Sequence, residues 1–335
     1  MYRMAFYEIF EEEKKHLLEY LPKEYEYFFT KKSIQDTDTG EVPAPIISTR
    51  TQSIFPKQWK DKIEAILTRS TGYDHVTRYF KEIDKILPAG HLPKYAARAV
   101  AEQAFMLLLM LARKIDAQRE SMGTFSRDGL TGFELLGKTL CVVGVGNIGS
   151  QIVKIGYGMD MELVGVDIKP RSEISQQYNL EYTDLQKGVE NADIIVCALP
   201  LTQETDGILN YKVLSTGQKR PILINIARGE ITPPQDLMQL LDGKTLSGVG
   251  LDVYDEESTL GSLLRGEISK ADIADQGVKK SVEATLELMQ HHDVICTPHN
   301  AFNTGESTDR KSKQTAENII HYFKTGEFLT PVPVD

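Results

Sequence analysis

Leu140-Cys141-Val142-Val143-Gly144-Val145-Gly146-Asn147-Ile148-Gly149 is the stretch on which the fold turns. A short apolar run rich in β-branched residues meets Gly-x-Gly-x-x-Gly, and helical spacing begins at about Ile148. Gly144 permits the tight turn, Gly146 lets a pyrophosphate approach the backbone, and Gly149 lets helix and strand pack closely. N–H groups near Asn147 and Ile148 then meet the phosphates at the helix start. A glycine motif alone is weak, because many strands end in glycine turns. Here the next strand, Leu163 to Val166, ends in Asp167, 18 residues after Gly149. That is close to the spacing at which an acid holds the adenosine ribose hydroxyls. Lys169 and Arg171 could pair with a 2′-phosphate, but Asp167 would repel one, so the expected cofactor is NAD.

The same alternation of strand and helix extends outward. Between residues 139 and 298 six short strands are expected, the later ones in DIIVCALP, PILINIA, LSGVGLDV and DVICTP. Helices are expected over Thr183 to Asn191 and Pro234 to Leu241, with Pro233-Pro234 marking a start. Upstream, Met4 to Phe10, Tyr25 to Phe29, Pro45 to Ser48 and Glu64 to Leu67 read as strands, with a helix in EEEKKHLLEYL. A long apolar helix from Ala96 to about Ile115 suits a domain or subunit junction, or an ordinary core. Glu306 to Thr325 carries Ala316, Ile319, Ile320 and Phe323 at helical spacing and is expected to return to the first domain. The class is α/β, with two doubly wound parallel sheets.

At about 150 residues per domain, 335 residues suggest roughly two domains. The 48 acidic against 38 basic side chains leave a net charge of −10, the wrong sign for holding nucleic acid. The longest apolar run, Ala104 to Ala112, is far below the roughly 20 residues that span a bilayer. A glutamate-rich start without a secretory pattern points to the cytoplasm. Cys141, Cys197 and Cys296 lie in apolar runs without CxxC spacing, so neither disulfides nor a metal site is expected.

Chemistry-bearing residues fall at the ends of consecutive strands. Asn225-Ile226-Ala227-Arg228-Gly229 puts a guanidinium, suited to a carboxylate, just past one strand. Leu251-Asp252-Val253 ends another with an acid, Glu257 follows, and Thr297-Pro298-His299 ends the last. Singly each is ambiguous, but all converge beside the dinucleotide crevice.

The ordered set Arg69-Ser70-Thr71-Gly72-Tyr73-Asp74, Tyr95, Val100-Ala101-Glu102, the glycine motif, Pro200-Leu201-Thr202, Asn225 to Gly229, Leu251 to Tyr254 and Thr297-Pro298-His299 resembles the D-isomer-specific 2-hydroxyacid dehydrogenases. The likeness is greatest to their D-lactate dehydrogenase branch. The resemblance implies two Rossmann-like domains, with a substrate domain of 1–97 and 300–335 and an inserted NAD-binding domain of 98–299. It also implies a homodimer and hydride transfer between NADH and a small 2-oxo acid, pyruvate first. By the same resemblance Arg228 binds the substrate carboxylate, His299 donates the proton, and Glu257 orients and charges His299. Thr71 and Gly72 give backbone N–H groups to the carboxylate, and Tyr95 lines the pocket. Asn147 and Ile148 meet the pyrophosphate and Asp167 the ribose. Leu199, Pro200 and Thr205 face the adenosine side, and Ile226, Ala227 and Asp252 the nicotinamide end.

This chain departs from its relatives in Ala96-Ala97, Gln103, Asn300 and Asn303, and in the wide separation of Glu257 and His299. Ser262 to Gln290 is expected to be a helical excursion over the site. Glyoxylate or hydroxypyruvate reduction is the nearest rival function, and a non-catalytic NAD-sensing scaffold is a rival from another class. The scaffold reading lacks the basic tail and interaction extensions it calls for.

Overall fold

The computed structural model describes residues 2–333. The chain divides into two compact units, Met1–Ala96 with Phe302–Asp335, and Ala97–Ala301.

The first unit starts with β1 (Arg3–Phe6), α1 (Glu11–Tyr20), β2 (Glu26–Phe29), β3 (Ile46–Thr49), β4 (Ala65–Thr68), α2 (Asp74–Ile83) and β5 (Ala89–Gly90). The second holds α3 (Ala97–Ala112), α4 (Ile115–Ser121), β6 (Thr139–Val143), α5 (Asn147–Gly158), β7 (Glu162–Val166), α6 (Ser172–Tyr178), β8 (Glu181–Tyr182), α7 (Leu185–Glu190) and β9 (Ile194–Cys197). It continues through α8 (Tyr211–Leu214), β10 (Ile222–Asn225), α9 (Pro234–Asp242), β11 (Gly248–Leu251), α10 (Glu257–Leu264), α11 (Gln276–Leu288) and β12 (Val294–Cys296). The chain then returns to the first unit as α12 (Gly305–Thr325).

Both sheets are parallel throughout, as the alternation predicts. The first has strand order β2-β1-β3-β4-β5 and the second β12-β11-β10-β9-β6-β7-β8. Each order reverses once, between β1 and β3 and between β6 and β9. In open α/β sheets ligands bind beyond the carboxyl ends of the strands at such a point. The inner strands β9, β10 and β11 are buried at every residue and read as apolar runs, with Asn225 the polar residue that closes β10.

Several bounds differ from the sequence expectation. The second sheet has seven strands, not six, because Glu181–Tyr182 pairs with β7. β5 is likewise an added edge strand, bonded to Ile66 and Leu67 of β4. β1 ends at Phe6, since Glu8 takes a left-handed backbone. The long apolar helix stops at Ala112, and a left-handed Lys114 separates it from α4. α3 is a core helix of the second unit on one face, where Leu107 meets Gly250, while Met106 and Leu109 stay 39% and 40% exposed.

Candidate active site

In the second unit the glycine loop has the form that a dinucleotide requires. Gly144 has φ 96°, and a Cβ there would lie 2.7 Å from the Ala198 carbonyl oxygen. At Gly149 a Cβ would lie 1.9 Å from the Gly144 oxygen, so only glycine lets α5 start this close to β6. A Cβ on Gly146 would meet nothing within 4 Å, which marks the open side of the loop. Asn147 and Ile148 form the first turn of α5, whose leading N–H groups have no partner within the helix. Asp167 accepts from Val145 N–H at 2.7 Å with one oxygen and from Lys169 N–H at 2.8 Å with the other. A carboxylate has about four acceptor sites, so the pinned group retains capacity for ribose hydroxyls. Arg171 already pairs with Glu173 at 2.9 Å. Ala198 and Leu199 abut the glycine turn, and Thr205 closes the loop that follows by donating to the Pro200 carbonyl at 2.7 Å. These features fit NAD.

The loop after β10 is shaped by a buried amide. Asn225 accepts from Ala227 N–H at 2.9 Å, and its amide donates to the Arg228 carbonyl and the Thr232 hydroxyl, each at 2.8 Å. Ile226 and Ala227 are thereby buried, while the Arg228 guanidinium donates back to the Ala227 carbonyl at 2.8 Å. Gly229 is required for packing, because a Cβ would lie 1.8 Å from the Tyr254 carbonyl carbon.

After β12 the chain turns sharply, with His299 at φ 49°. A left-handed non-glycine residue costs about 1 kcal/mol or more and persists only where its surroundings hold it. Asp252 supplies that hold. Fully buried, it accepts from the Thr297 hydroxyl at 2.5 Å and from Asn300 and Ala301 N–H at 2.9 and 2.8 Å. Burial raises its pKa, and these three donors oppose the rise. Gln103 of α3 donates to the same Thr297 hydroxyl at 3.1 Å, and Tyr254 donates to the Thr297 carbonyl at 2.8 Å.

The loop aims His299 Nδ1 at Glu257, whose two oxygens lie at 2.7 and 2.8 Å across 42 residues of sequence. Side-chain exposures of 21% and 23% leave the pair reachable but shielded from bulk water. Glu257 opens α10, and Leu260 packs with Ile273 and Val282. Ser281 donates to Asp255 at 2.5 Å. The segment Ser262 to Gln290, expected as a helical excursion, holds the end of α10 and all of α11, and Ile273 and Val282 from it pack on Leu260 of the helix that carries Glu257.

Thr71, Gly72 and Tyr95 lie in the first unit. Ser70 donates to the Gly72 carbonyl at 2.7 Å, and Thr71 donates to the Leu92 carbonyl at 3.2 Å. Among the described residues no acceptor meets the Thr71 or Gly72 N–H groups. Tyr95 is buried, and its carbonyl accepts from Arg310 at 2.9 Å.

The sequence profile of the D-isomer specific 2-hydroxyacid dehydrogenase NAD binding domain matches residues 105–301, more than half of the chain. The chain belongs to this family. It is 31% identical to D-lactate dehydrogenase kk1H of Curvularia clavata over 266 residues, 78% of this chain and 72% of that one. It is 28% identical to D-lactate dehydrogenase of Escherichia coli (strain K12) over 307 residues, 90% and 88% of the two chains. A crystal structure of Aquifex aeolicus D-lactate dehydrogenase complexed with NAD and lactic acid superposes with TM-score 0.82 at 25% identity, covering 99% and 100%. The family-level reading of the sequence therefore holds: this is an NAD-dependent 2-hydroxyacid dehydrogenase with Rossmann-like α/β architecture. No helix among the described residues is long and apolar enough to cross a membrane.

Reading the dehydrogenase sequence alone gave no role to Asn225, to Gln103 as a partner of Thr297, or to Tyr254. The available signal was a polar residue closing an apolar strand, as Asn225 closes Ile222 to Ile224. Outside this site, His291, His292 and Asp293 bring three ligand atoms within 4.8 Å of one another, a cluster whose members hydrogen-bond or ion-pair among themselves.

Proposed function

We propose that this dehydrogenase reduces a small 2-oxo acid, pyruvate first, to its D-2-hydroxy acid. The observation that carries the reading is the His299–Glu257 pair. A carboxylate on Nδ1 fixes the proton there, so Nε2 is the atom that gives a proton to the carbonyl oxygen and takes it back in reverse. When bound, NADH supplies the hydride. Arg228 grips the substrate carboxylate through its planar fork and sets the carbonyl carbon in line. Asp252, Gln103 and Tyr254 hold the His299 loop in place, and Asn225 does the same for the Arg228 loop. From the first unit, the N–H groups of Thr71 and Gly72 meet the carboxylate, and Tyr95 lines the pocket. NADH oxidation across pyruvate, glyoxylate, hydroxypyruvate and longer 2-oxo acids tests this. If none is reduced, the proposal fails and the scaffold reading takes its place.

Asp167 should set the nucleotide preference. Its pinned carboxylate faces a 2′-phosphate with like charge, and Arg171 is engaged by Glu173. NADH is expected to bind at least about tenfold more tightly than NADPH, about 1.4 kcal/mol. Fluorescence titration of both cofactors, with Asp167→Ala narrowing the gap, measures this, and equal affinities would contradict the role.

We also place the protein in the cytoplasm as a homodimer formed through the second unit. Met106 and Leu109 on α3 are joined along the chain by Met122, Phe125 and Leu136, which are 66%, 73% and 67% exposed. Large apolar side chains left this open mark contact surfaces. Sedimentation should give a dimer that Phe125→Asp with Leu136→Asp converts to monomers, and a monomeric unsubstituted protein would rule the dimer out.

A further inference from the structure

The sheet of the first unit reverses its strand order between β1 and β3. Phe10 follows β1 and Arg50 immediately follows β3, so both sit beyond the carboxyl ends of the two strands that flank the reversal, where open sheets bind ligands. The Arg50 guanidinium lies over the Phe302 ring at 4.2 Å and is 5.8 Å from the Phe10 ring centroid. Stacking on an aromatic face fixes the plane of a guanidinium while leaving its N–H edges for a planar anion. Arg50 is partly exposed, and among the described residues no carboxylate pairs with it.

Both nearby acids are already committed. Glu8 is bonded to this loop through backbone, accepting from the N–H groups of Arg50, Gln52 and Ser53 at 2.9, 3.0 and 3.2 Å. Glu13 is fully buried, and one of its oxygens takes both Arg69 Nε at 2.9 Å and Lys311 Nζ at 2.8 Å. Burial works against its charge, but Arg69, Lys311 and Arg50 outweigh that and hold its carboxyl down at about 2. Three cations thus surround one buried anion. Burial pushes the Lys311 pKa down, Glu13 opposes that fall, and Arg50 and Arg69 add to it.

The strand that leads to the Thr71-Gly72 loop pairs with the strand that leads to Arg50. Thr49 and Thr68 are register partners, and Arg69 N–H donates to the Thr49 carbonyl at 2.7 Å. Arg50 and Thr71 therefore leave neighbouring strands, which lie about 4.8 Å apart.

We infer that Arg50 forms a second anion subsite and that the enzyme takes 2-oxo acids carrying a distal carboxylate, which the Arg50 fork binds. The inference rests on the proposed function, in which Arg228, Thr71 and Gly72 hold the carboxylate beside the reacting carbonyl. It adds a preference among longer substrates, for a diacid over an apolar acid of the same length.

The test compares kcat/KM for 2-oxoglutarate and 2-oxopentanoate, which share a five-carbon chain, with NADH at saturation. The unsubstituted enzyme is expected to favour the diacid at least about tenfold. Arg50→Met should shift that ratio toward the monoacid by about 10- to 150-fold, the value of one charge-assisted bond. Arg50→Lys should fall between, keeping the charge without the fork. An enzyme that prefers 2-oxopentanoate, or an Arg50→Met ratio that does not move, overturns the subsite while leaving 2-oxo acid reduction in place. An equal loss with both acids would also overturn it, assigning Arg50 to the reacting carboxylate. Failure to reduce any 2-oxo acid, pyruvate included, defeats the proposed function itself and takes the subsite with it.

Discussion

Replacing His299 with alanine is expected to lower kcat by about 10²- to 10⁴-fold in both directions, the range that a positioned acid or base contributes. Glu257→Gln should produce a smaller and lopsided loss. Glutamine keeps the shape and one acceptor facing Nδ1 but removes the negative charge. Reduction starts from the imidazolium and oxidation from the neutral ring, so removing the charge should cost reduction more. A charge-assisted hydrogen bond contributes about 1.5 to 3 kcal/mol, or about 10- to 150-fold in the reductive rate. In a His299→Ala background the glutamate no longer has a partner, so adding Glu257→Gln should change little further. The measurement is kcat for reduction and for oxidation in all four proteins. Equal losses in the two directions for Glu257→Gln would reduce the glutamate to a brace, and an active His299→Ala enzyme would remove the histidine from the chemistry.

Arg228→Lys should be nearly as damaging although it conserves charge. Asn225 shapes the loop that carries the planar fork, and lysine offers one mobile point charge in its place. Each charge-assisted bond lost costs about 10- to 150-fold in kcat/KM. In the proposed role the same grip also aligns the carbonyl carbon, so kcat should fall along with kcat/KM. A variant with ordinary kcat and only a raised KM would mean that Arg228 binds without orienting. One indistinguishable from the parent would place the carboxylate elsewhere.

Much of the fold was legible because its main signals are local. The glycine loop needs glycine at Gly144 and Gly149 for reasons of backbone contact, and inner strands such as Ile194 to Cys197 are apolar at every position. β5 and β8 went unread because two residues are too few to set a period, and their pairing depends on neighbours far along the chain. Glu13 sits among charged residues in EEEKKHLLEYL and reads as part of a solvated helix face. Its burial depends on Arg69 and Lys311, which lie 56 and 298 residues away. The pairing of Glu257 with His299 came from family resemblance, since no periodicity links residues 42 apart. The need for α10 and α11 beside that pair appears only from the packing of Leu260 with Val282.

The nesting of one unit inside the other bears on the order of events during synthesis. Domains emerge from the ribosome and fold largely as units, at roughly 5 to 20 residues per second. The second unit is contiguous, so all of its strands can be present while the first still lacks α12. Until α12 arrives, Glu13 and Arg69 have no Lys311 beside them, and the apolar patch of Met4, Phe6 and Leu67 lacks the cover of Ala316 and Ile319. At that rate about 200 residues take tens of seconds to emerge, and during that time the nascent chain carries an unfinished first unit with exposed strands. This is the interval in which a chaperone would have its largest effect on yield.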